Sequence, residues 1–297
     1  MNFLRHPSPY LLLSLTSLFW AANWVVGRAM RDEMPPVAMG FWRWTIALLI
    51  LLPFAAPELR RKRDVVRANW LTLTLLGVLG AIAFNTLIYV GLQYTAATNG
   101  VLFNSISPVL IILLSWVISR ERISKLQACG VVLSLCGVLV ILLHGDLTAL
   151  SSIEFNKGDI IFTVALAIFG LYSVLSLKRP QIHGLSFVGF TFGCGAVCLV
   201  PLWIWELFTR PAMQLNAANL LSLFYVAVFP STLAYLCFNR GVQLIGANRA
   251  APFFHVVPVF GTVMSIAFLG EHPQAFQFIG FALVLTGVFV ASRKASA

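Results

Sequence analysis

The apolar and polar positions divide the chain into ten oily runs, near residues 10–30, 36–56, 69–91, 97–119, 124–143, 158–177, 184–207, 218–238, 247–270 and 274–292. At a helical rise of 1.5 Å, about 20 residues cross the roughly 30 Å hydrocarbon core of a bilayer. The runs have that length. Polar punctuation separates them, as at Pro35-Pro36, Arg60-Arg61-Lys62-Arg63, Arg120-Glu121-Arg122 and Lys178-Arg179-Pro180. Lipid cannot hydrogen-bond an open backbone, so only helices or closed barrels span it. Runs this long and unbroken predict an all-α integral membrane protein with ten transmembrane helices.

Composition agrees. The 297 residues are 59% hydrophobic and 10% charged, with mean hydropathy +0.89. A soluble surface needs about a quarter charged residues, which excludes one or two soluble domains. The net charge of +10 raises the question of nucleic acid, but the basic residues sit in short gaps between oily runs and fit orientation signals better. With the N-terminus inside and the runs alternating, fifteen of the twenty Lys and Arg residues fall on the inner side and four on the outer, with Arg43 inside a helix. Both termini are therefore expected in the cytoplasm. Leu11–Val26 after Arg5 has the look of a signal-peptide core, but the many spans that follow make it a first, uncleaved helix. The five cysteines lie within oily runs; Cys194 and Cys198 have a metal-pair spacing but no His or carboxylate beside them, so they are read as packing residues and no metal is expected.

The two halves repeat. At a constant offset of 150 the chain pairs Gly91 with Gly241, Gln93 with Gln243, Ala97 with Ala247, Phe103 with Phe253, Pro108 with Pro258, Ser115 with Ser265, Glu121 with Glu271, Gln127 with Gln277, Gly130 with Gly280 and Gly137 with Gly287. Five helices per half is an odd number, so the second half must insert upside down. The expectation is two inverted five-helix repeats around a central cavity, an arrangement common in secondary transporters. Their bounds are 1–144 and 158–297, with an outer linker at 145–157.

The series Ala97, Pro108, Glu121, Gln127, Gly130, Gly137 and its copy Ala247, Pro258, Glu271, Gln277, Gly280, Gly287 resembles the paired ten-helix, EamA-type branch of the drug/metabolite transporter superfamily. "FWAANWVV" (19–26), "FWRWTIALLILL" (41–52) and "GDIIFTVALAIFGLYSVL" (158–175) resemble that family's repeat starts and second helix; Phe169-Gly170 departs from the Trp-Ala often found there. Within the family, the chain is similar to bacterial exporters of amino acids, including aromatic ones. The resemblance implies multi-pass insertion in a bacterial inner membrane, a small amphipathic metabolite as substrate, no cofactor and no nucleic acid.

Several residues carry candidate chemistry. Pro108 and Pro258 are expected near the middle of helices 4 and 9, where a proline frees a carbonyl and bends the helix. As a matched pair they are read as hinges rather than packing kinks. Glu121 and Glu271 are read as structural residues at helix ends, with Ser124 and Gln127 forming a capping box for the next helix. All ten acids map to loops or helix ends, so no membrane-interior carboxylate is expected. Arg43 either snorkels outward with Trp42 and Trp44 or binds a substrate carboxylate. His255 either titrates or is a neutral core residue. Trp20 and Trp24 flank Asn23 near mid-helix, and Tyr172 holds nearly the equivalent place in helix 6. With Asn85, Tyr89, Asn104, Ser107, Tyr235, Asn239 and Phe253 they outline an aromatic, amide-bearing cavity suited to a zwitterion with a bulky side chain.

The favoured function is export of amino acids and related small metabolites by alternating access. A multidrug or other-metabolite carrier is the alternative within transporters. An intramembrane enzyme is the rival class, but no H-E-x-x-H, G-x-S-x-G, paired intramembrane aspartates or P-loop occurs.

Overall fold

The oily runs become helices in a computed structural model that describes residues 7–30, 33–91, 93–94, 103–146, 156–214, 216–269, 272 and 274–293. The candidates Ala97 and Glu271, and the side chain of Trp24, lie outside the described parts. In chain order the helices are α1 (Pro9–Ala29), α2 (Pro36–Arg61), α3 (Trp70–Gly91), α4 (Ser107–Ser119), α5 (Lys125–Leu142), α6 (Lys157–Lys178), α7 (Gly184–Thr209), α8 (Ala217–Ile245), α9 (Val256–Leu269) and α10 (Ala275–Ser292). Among the described residues no strand occurs. Seven helices (α2, α3, α5, α6, α7, α8 and α10) are long and apolar enough to cross a membrane, and α4 is a shorter apolar helix. A short helix, Arg63–Ala68, carries part of the basic run between α2 and α3 and buries none of its residues. Large apolar side chains such as Leu49, Val197 and Phe208 point away from the bundle, as a lipid-facing surface requires.

The prolines depart from expectation. A helical pair, Phe103-Asn104, and a turn at Ser105-Ile106 precede α4, so Pro108 occupies its first turn instead of its middle. A proline costs little there, because a first-turn amide has no intrahelical acceptor. Pro258 is likewise the third residue of α9, behind the 3₁₀ stretch Ala251–His255. A turn interrupts the helical course before Pro108, whereas before Pro258 the winding changes from 3₁₀ to α without a break. Prolines inside helices are Pro53 and Pro57 in α2, Pro201 in α7 and Pro230, which sits in a π-helical stretch of α8 at Ala227–Leu233; α3 carries a matching π-helical stretch at Val78–Ala83. Wider winding of this kind frees backbone carbonyls for other partners.

Helix ends are closed by named side chains. Ser124 Oγ accepts from the Gln127 N–H at 3.1 Å and Gln127 Oε1 accepts from the Ser124 N–H at 3.0 Å, the expected capping box. Glu121 does not join it. Its carboxylate accepts from Ser115 Oγ at 3.1 Å and Asn248 Nδ2 at 3.3 Å, tying the end of α4 to the segment before α9. Glu206, near the end of α7, is 3% exposed and accepts from the Val37 and Ala38 N–H groups at 3.1 and 2.6 Å, at the start of α2. Glu58, near the end of α2, accepts from the His183 N–H at 3.1 Å and lies 3.4 Å from Ser186 Oγ, at the start of α7. Each helix of this antiparallel pair therefore caps the other with a carboxylate, placed where the helix dipole favours negative charge.

The main packings are α5 on α10, α2 on α7, α1 on α8 and α9, and α6 on α3 and α4. The α5–α10 seam brings backbone against backbone at Gly130, Gly137, Gly280 and Gly287, the close approach that small residues permit in membranes. A Cβ at Gly130 would sit 2.5 Å from the Ala291 nitrogen, and one at Gly287 would overlap the Ser134 nitrogen. We expect Gly130→Val and Gly287→Val each to destabilise the protein by about 1–3 kcal/mol, measured by thermal melting in detergent. Val132→Leu on the outward face of α5 should melt as the parent does. Unchanged melting of the glycine variants would refute the seam.

Candidate functional site

A guanidinium inside a bilayer must find acceptors or reach the interface. Arg43, two turns into α2, is 1% exposed, which removes the snorkelling alternative. Its Nε donates to Ser231 Oγ at 2.5 Å, Nη1 to Tyr89 OH at 2.7 Å and Nη2 to the Pro230 carbonyl at 3.4 Å. The guanidinium carbon sits 4.6 Å from the centre of the Trp44 ring, a cation–π contact that helps fix its plane. A guanidinium has five N–H groups, and these three bonds use three of them. Among the described residues no ion pair involves Arg43. A buried cation with two open N–H groups and no anion is set up to receive one.

Arg43 lines a central cavity with Asn23, Asn85 and Asn104, under apolar walls of Trp20, Phe84, Ile88, Phe254 and Val257. Asn23 Oδ1 is buried and has no hydrogen-bond partner. The site thus presents an open donor pair on Arg43 and an open acceptor on Asn23, within an aromatic box. Its volume is only ≈ 30 Å³, room for about one water. No amino acid fits until the helices around it separate.

A polar layer adjoins the cavity. Asn85 Nδ2 donates to Tyr235 OH at 2.9 Å and to the Gly80 carbonyl at 3.0 Å, and Tyr235 OH donates to the same carbonyl at 2.5 Å. Tyr172 OH donates to Asn239 Oδ1 at 3.0 Å, and Asn239 Nδ2 donates to the Tyr235 carbonyl at 2.8 Å. The Tyr172 ring packs against Gly80, where a Cβ would meet it at 2.6 Å. The π-helical stretches explain the free carbonyls: Gly80 O is taken by Tyr235 and Asn85, and Pro230 O by Arg43 and by Trp20 Nε1 at 3.1 Å.

The structure thus brings Trp20, Asn23, Arg43, Asn85 and Asn104 to the cavity wall and sets Tyr89, Tyr172, Tyr235 and Asn239 behind it. Ser107 Oγ lies 3.4 Å from Asn104 Oδ1. Phe253 is not on the wall; its carbonyl accepts from Ser17 Oγ at 2.7 Å, against α1. His255 is fully buried and also off the wall. Its Nε2 lies 2.8 Å from the Ser105 carbonyl, which can only accept, so Nε2 carries the proton; Nδ1 then accepts from Ser134 Oγ at 2.6 Å. Both ring nitrogens are satisfied in the neutral form. Ser231 and Pro230 were missed by sequence reasoning. Pro230 carries the signal that drew attention to Pro108, a proline deep in an oily run. Phe84, Ile88, Phe254 and Val257 carry no signal that separates them from other apolar residues.

The model of the EamA-like transporter family matches this chain twice, over residues 7–143 and 156–293. An uncharacterized transporter of Bacillus subtilis is 30% identical over 97% of this chain and 95% of its own length. One of Archaeoglobus fulgidus is 26% identical over 96% and 97% of the two chains. A probable terminal-alkyne amino-acid exporter of Streptantibioticus cattleyicolor is 24% identical over 95% of this chain and 92% of its own. A solved crystal structure superposes with a TM-score of 0.75 at 19% identity, covering 96% of this chain and 97% of that one, which supports the fold alone.

The geometry makes His255 a tie between α5, the turn before α4 and the segment before α9. His255→Phe should remove the ring's bonds to the Ser105 carbonyl and to Ser134 Oγ, which keeps only the Val131 carbonyl, lowering stability by about 1–3 kcal/mol in a detergent melt. Apparent substrate affinity in the surviving protein should be parental. Parental melting with altered affinity would return His255 to the site.

Proposed function

The chain belongs to the EamA-like transporter family, and from that premise we propose that it is a secondary carrier exporting amino acids, aromatic ones included. Its two inverted five-helix repeats, 1–144 and 158–297 joined by an outer linker at 145–157, work by alternating access in a bacterial inner membrane with both termini cytoplasmic. The repeat is supported by the packing. Under an exchange of α1–α5 with α6–α10, the pair α1–α8 becomes α6–α3, α1–α9 becomes α6–α4, and α2–α7 and α5–α10 map onto themselves. Gly80 and Pro230, whose carbonyls face side chains of the opposite half, stand at the same offset of 150 as the sequence repeat. The hinge role assigned to Pro108 and Pro258 passes in this reading to the two π-helical stretches, whose Gly80 and Pro230 carbonyls are held by Asn85, Trp20 and Arg43 of the cavity wall.

One observation carries the substrate class: an unpaired, buried guanidinium and an unpartnered amide oxygen share one aromatic cavity. A substrate carboxylate completes Arg43, the α-ammonium donates to Asn23 Oδ1, and an aromatic side chain packs on Trp20, Phe84 and Phe254. The amino-acid exporter among the relatives supports the same class.

Counterflow in liposomes with labelled L-phenylalanine tests this. Arg43→Gln should weaken apparent affinity about tenfold or more, the scale of a lost charged hydrogen bond. Phenethylamine, which lacks the carboxylate, and phenylpropionate, which lacks the ammonium, should compete poorly. Phenethylamine carried as well as phenylalanine would replace the zwitterion reading with a cationic-drug carrier. For orientation, single cysteines placed in 58–67 or 178–183 should resist an impermeant thiol reagent in intact cells, while those in 145–157 react. Labelling in 58–67 would overturn the orientation.

A further inference from the structure

The end of the bundle that carries Arg179 and Arg240 opens into a second space of ≈ 960 Å³, far larger than the central cavity. Its walls come from the start of α1, the end of α2, the α6–α7 connection and the last turns of α8, and they include Asn239, Gln181 and Gln243. Arg179 lines this vestibule with its guanidinium 4.4 Å from the Phe187 ring centre. Its Nε and Nη1 are buried without a hydrogen-bond partner. Arg240 lines the same space and is exposed. Glu58 lines it too, but its oxygens are engaged at the start of α7, by His183 N–H and Ser186, and among the described residues neither arginine is in an ion pair. His183 Nδ1 accepts from the Leu185 N–H at 3.3 Å. Two cations therefore face one free-standing cavity with a single, already engaged carboxylate. Burial pulls the Arg179 guanidinium below its ordinary pKa, against an opposing contribution from Tyr172 and with a smaller push from Arg240.

We propose that the vestibule is a separate oxyanion-binding site in which Arg179 and Arg240 hold a solute carboxylate before it reaches the central cavity. The stacking of Arg179 on Phe187 fixes the guanidinium plane, and the planar fork favours bidentate carboxylate over a point contact. Asn239 supplies the connection inward. It lines the vestibule and accepts from Tyr172, and its amide reaches the Tyr235 carbonyl, whose hydroxyl meets Asn85 on the central cavity wall. One polar layer thus separates the two spaces, and a solute leaving Arg179 meets amide and phenol groups on its way to Arg43. The inference rests on the exporter reading for its direction of traffic, but not for the binding itself.

The test uses the purified full chain and benzoate as a carboxylate probe, followed by saturation-transfer NMR, with benzyl alcohol as the uncharged control. Benzoate should bind and benzyl alcohol should not. Arg179→Gln and Arg240→Gln should each weaken benzoate binding about tenfold, whereas Arg67→Gln, on the exposed short helix between α2 and α3 and on neither cavity wall, should leave it unchanged. Loss on Arg43→Gln alone would assign the binding to the central site and overturn the vestibule while sparing the exporter reading. Retention in both vestibule variants would overturn it as well. Arg240→Gln keeps the test decisive should Arg179→Gln not fold. Repeating the measurement in phosphatidylcholine nanodiscs, with and without phosphatidylglycerol, separates solute from lipid: equal benzoate binding supports a solute site, and loss with phosphatidylglycerol makes the oxyanion a lipid phosphate.

Discussion

A helix that begins, ends or breaks inside a bilayer leaves backbone groups that lipid cannot satisfy. That constraint organises the polar side chains of this protein. The α2 N-terminus is answered by Glu206 and the α7 N-terminus by Glu58. The carbonyls freed in the π-helical stretches are answered by Asn85 and Tyr235 at Gly80, and by Trp20 and Arg43 at Pro230. The turn before α4 is answered by His255 at Ser105. Most buried polar groups are thus committed to backbone, which gives the uncommitted ones their meaning. Asn23 Oδ1, the spare N–H groups of Arg43 and two nitrogens of Arg179 are among them, beside Trp44 Nε1, Thr86 Oγ1 and Asn248 Oδ1, and of these only the first three groups line the central cavity or the vestibule.

Magnitudes separate structural from functional burial. A neutral histidine with both nitrogens bonded costs little to keep inside. A guanidinium costs several kcal/mol at that depth unless charge or strong acceptors compensate it. Arg43 has hydroxyl and carbonyl acceptors but no carboxylate, so its environment is only partly matched. A built-in aspartate would have closed the account and excluded a substrate anion. In the proposed reading, that incomplete match favours an incoming carboxylate without holding it so tightly that release fails.

Local patterns were legible in the sequence and distant ones were not. The helical runs and the Ser124–Gln127 capping box follow from spacing within a few residues, and the structure has them. Arg43, Asn23 and Trp20 could be singled out because polar and indole groups are conspicuous in oily runs. Pro108 was misplaced because the residues before it are apolar whether or not they are helical, so hydropathy could not locate the start of α4. Glu58 and Glu206 were read as ordinary helix-end acids. Their partners lie more than a hundred positions away, and only the antiparallel packing of α2 on α7 joins them. His255 looked like a site residue for the same reason, since its partners Ser105 and Ser134 belong to other helices.

Two of the three arginines that line the cavities share a construction that bears on selectivity. Arg43 rests on Trp44 and Arg179 on Phe187, so in each an aromatic face covers one side of the guanidinium and leaves the N–H edge as the direction of approach. A planar edge distinguishes a carboxylate, which meets it with two oxygens, from a hydroxyl or halide, which meets it with one atom. Lysine in either place would keep the charge and lose that distinction. The central space is ≈ 30 Å³ and the vestibule ≈ 960 Å³, while a further apolar pocket of ≈ 460 Å³ lies at the opposite end beside Glu206. Room for a solute therefore exists at both ends and not at the middle. On the same proposed reading, a carboxylate reaches Arg179 in this conformation and reaches Arg43 only after the Tyr172–Asn239 and Tyr235–Asn85 contacts part. On the proposed exporter reading, selection by the guanidinium edge occurs twice, once before the helices open and once after.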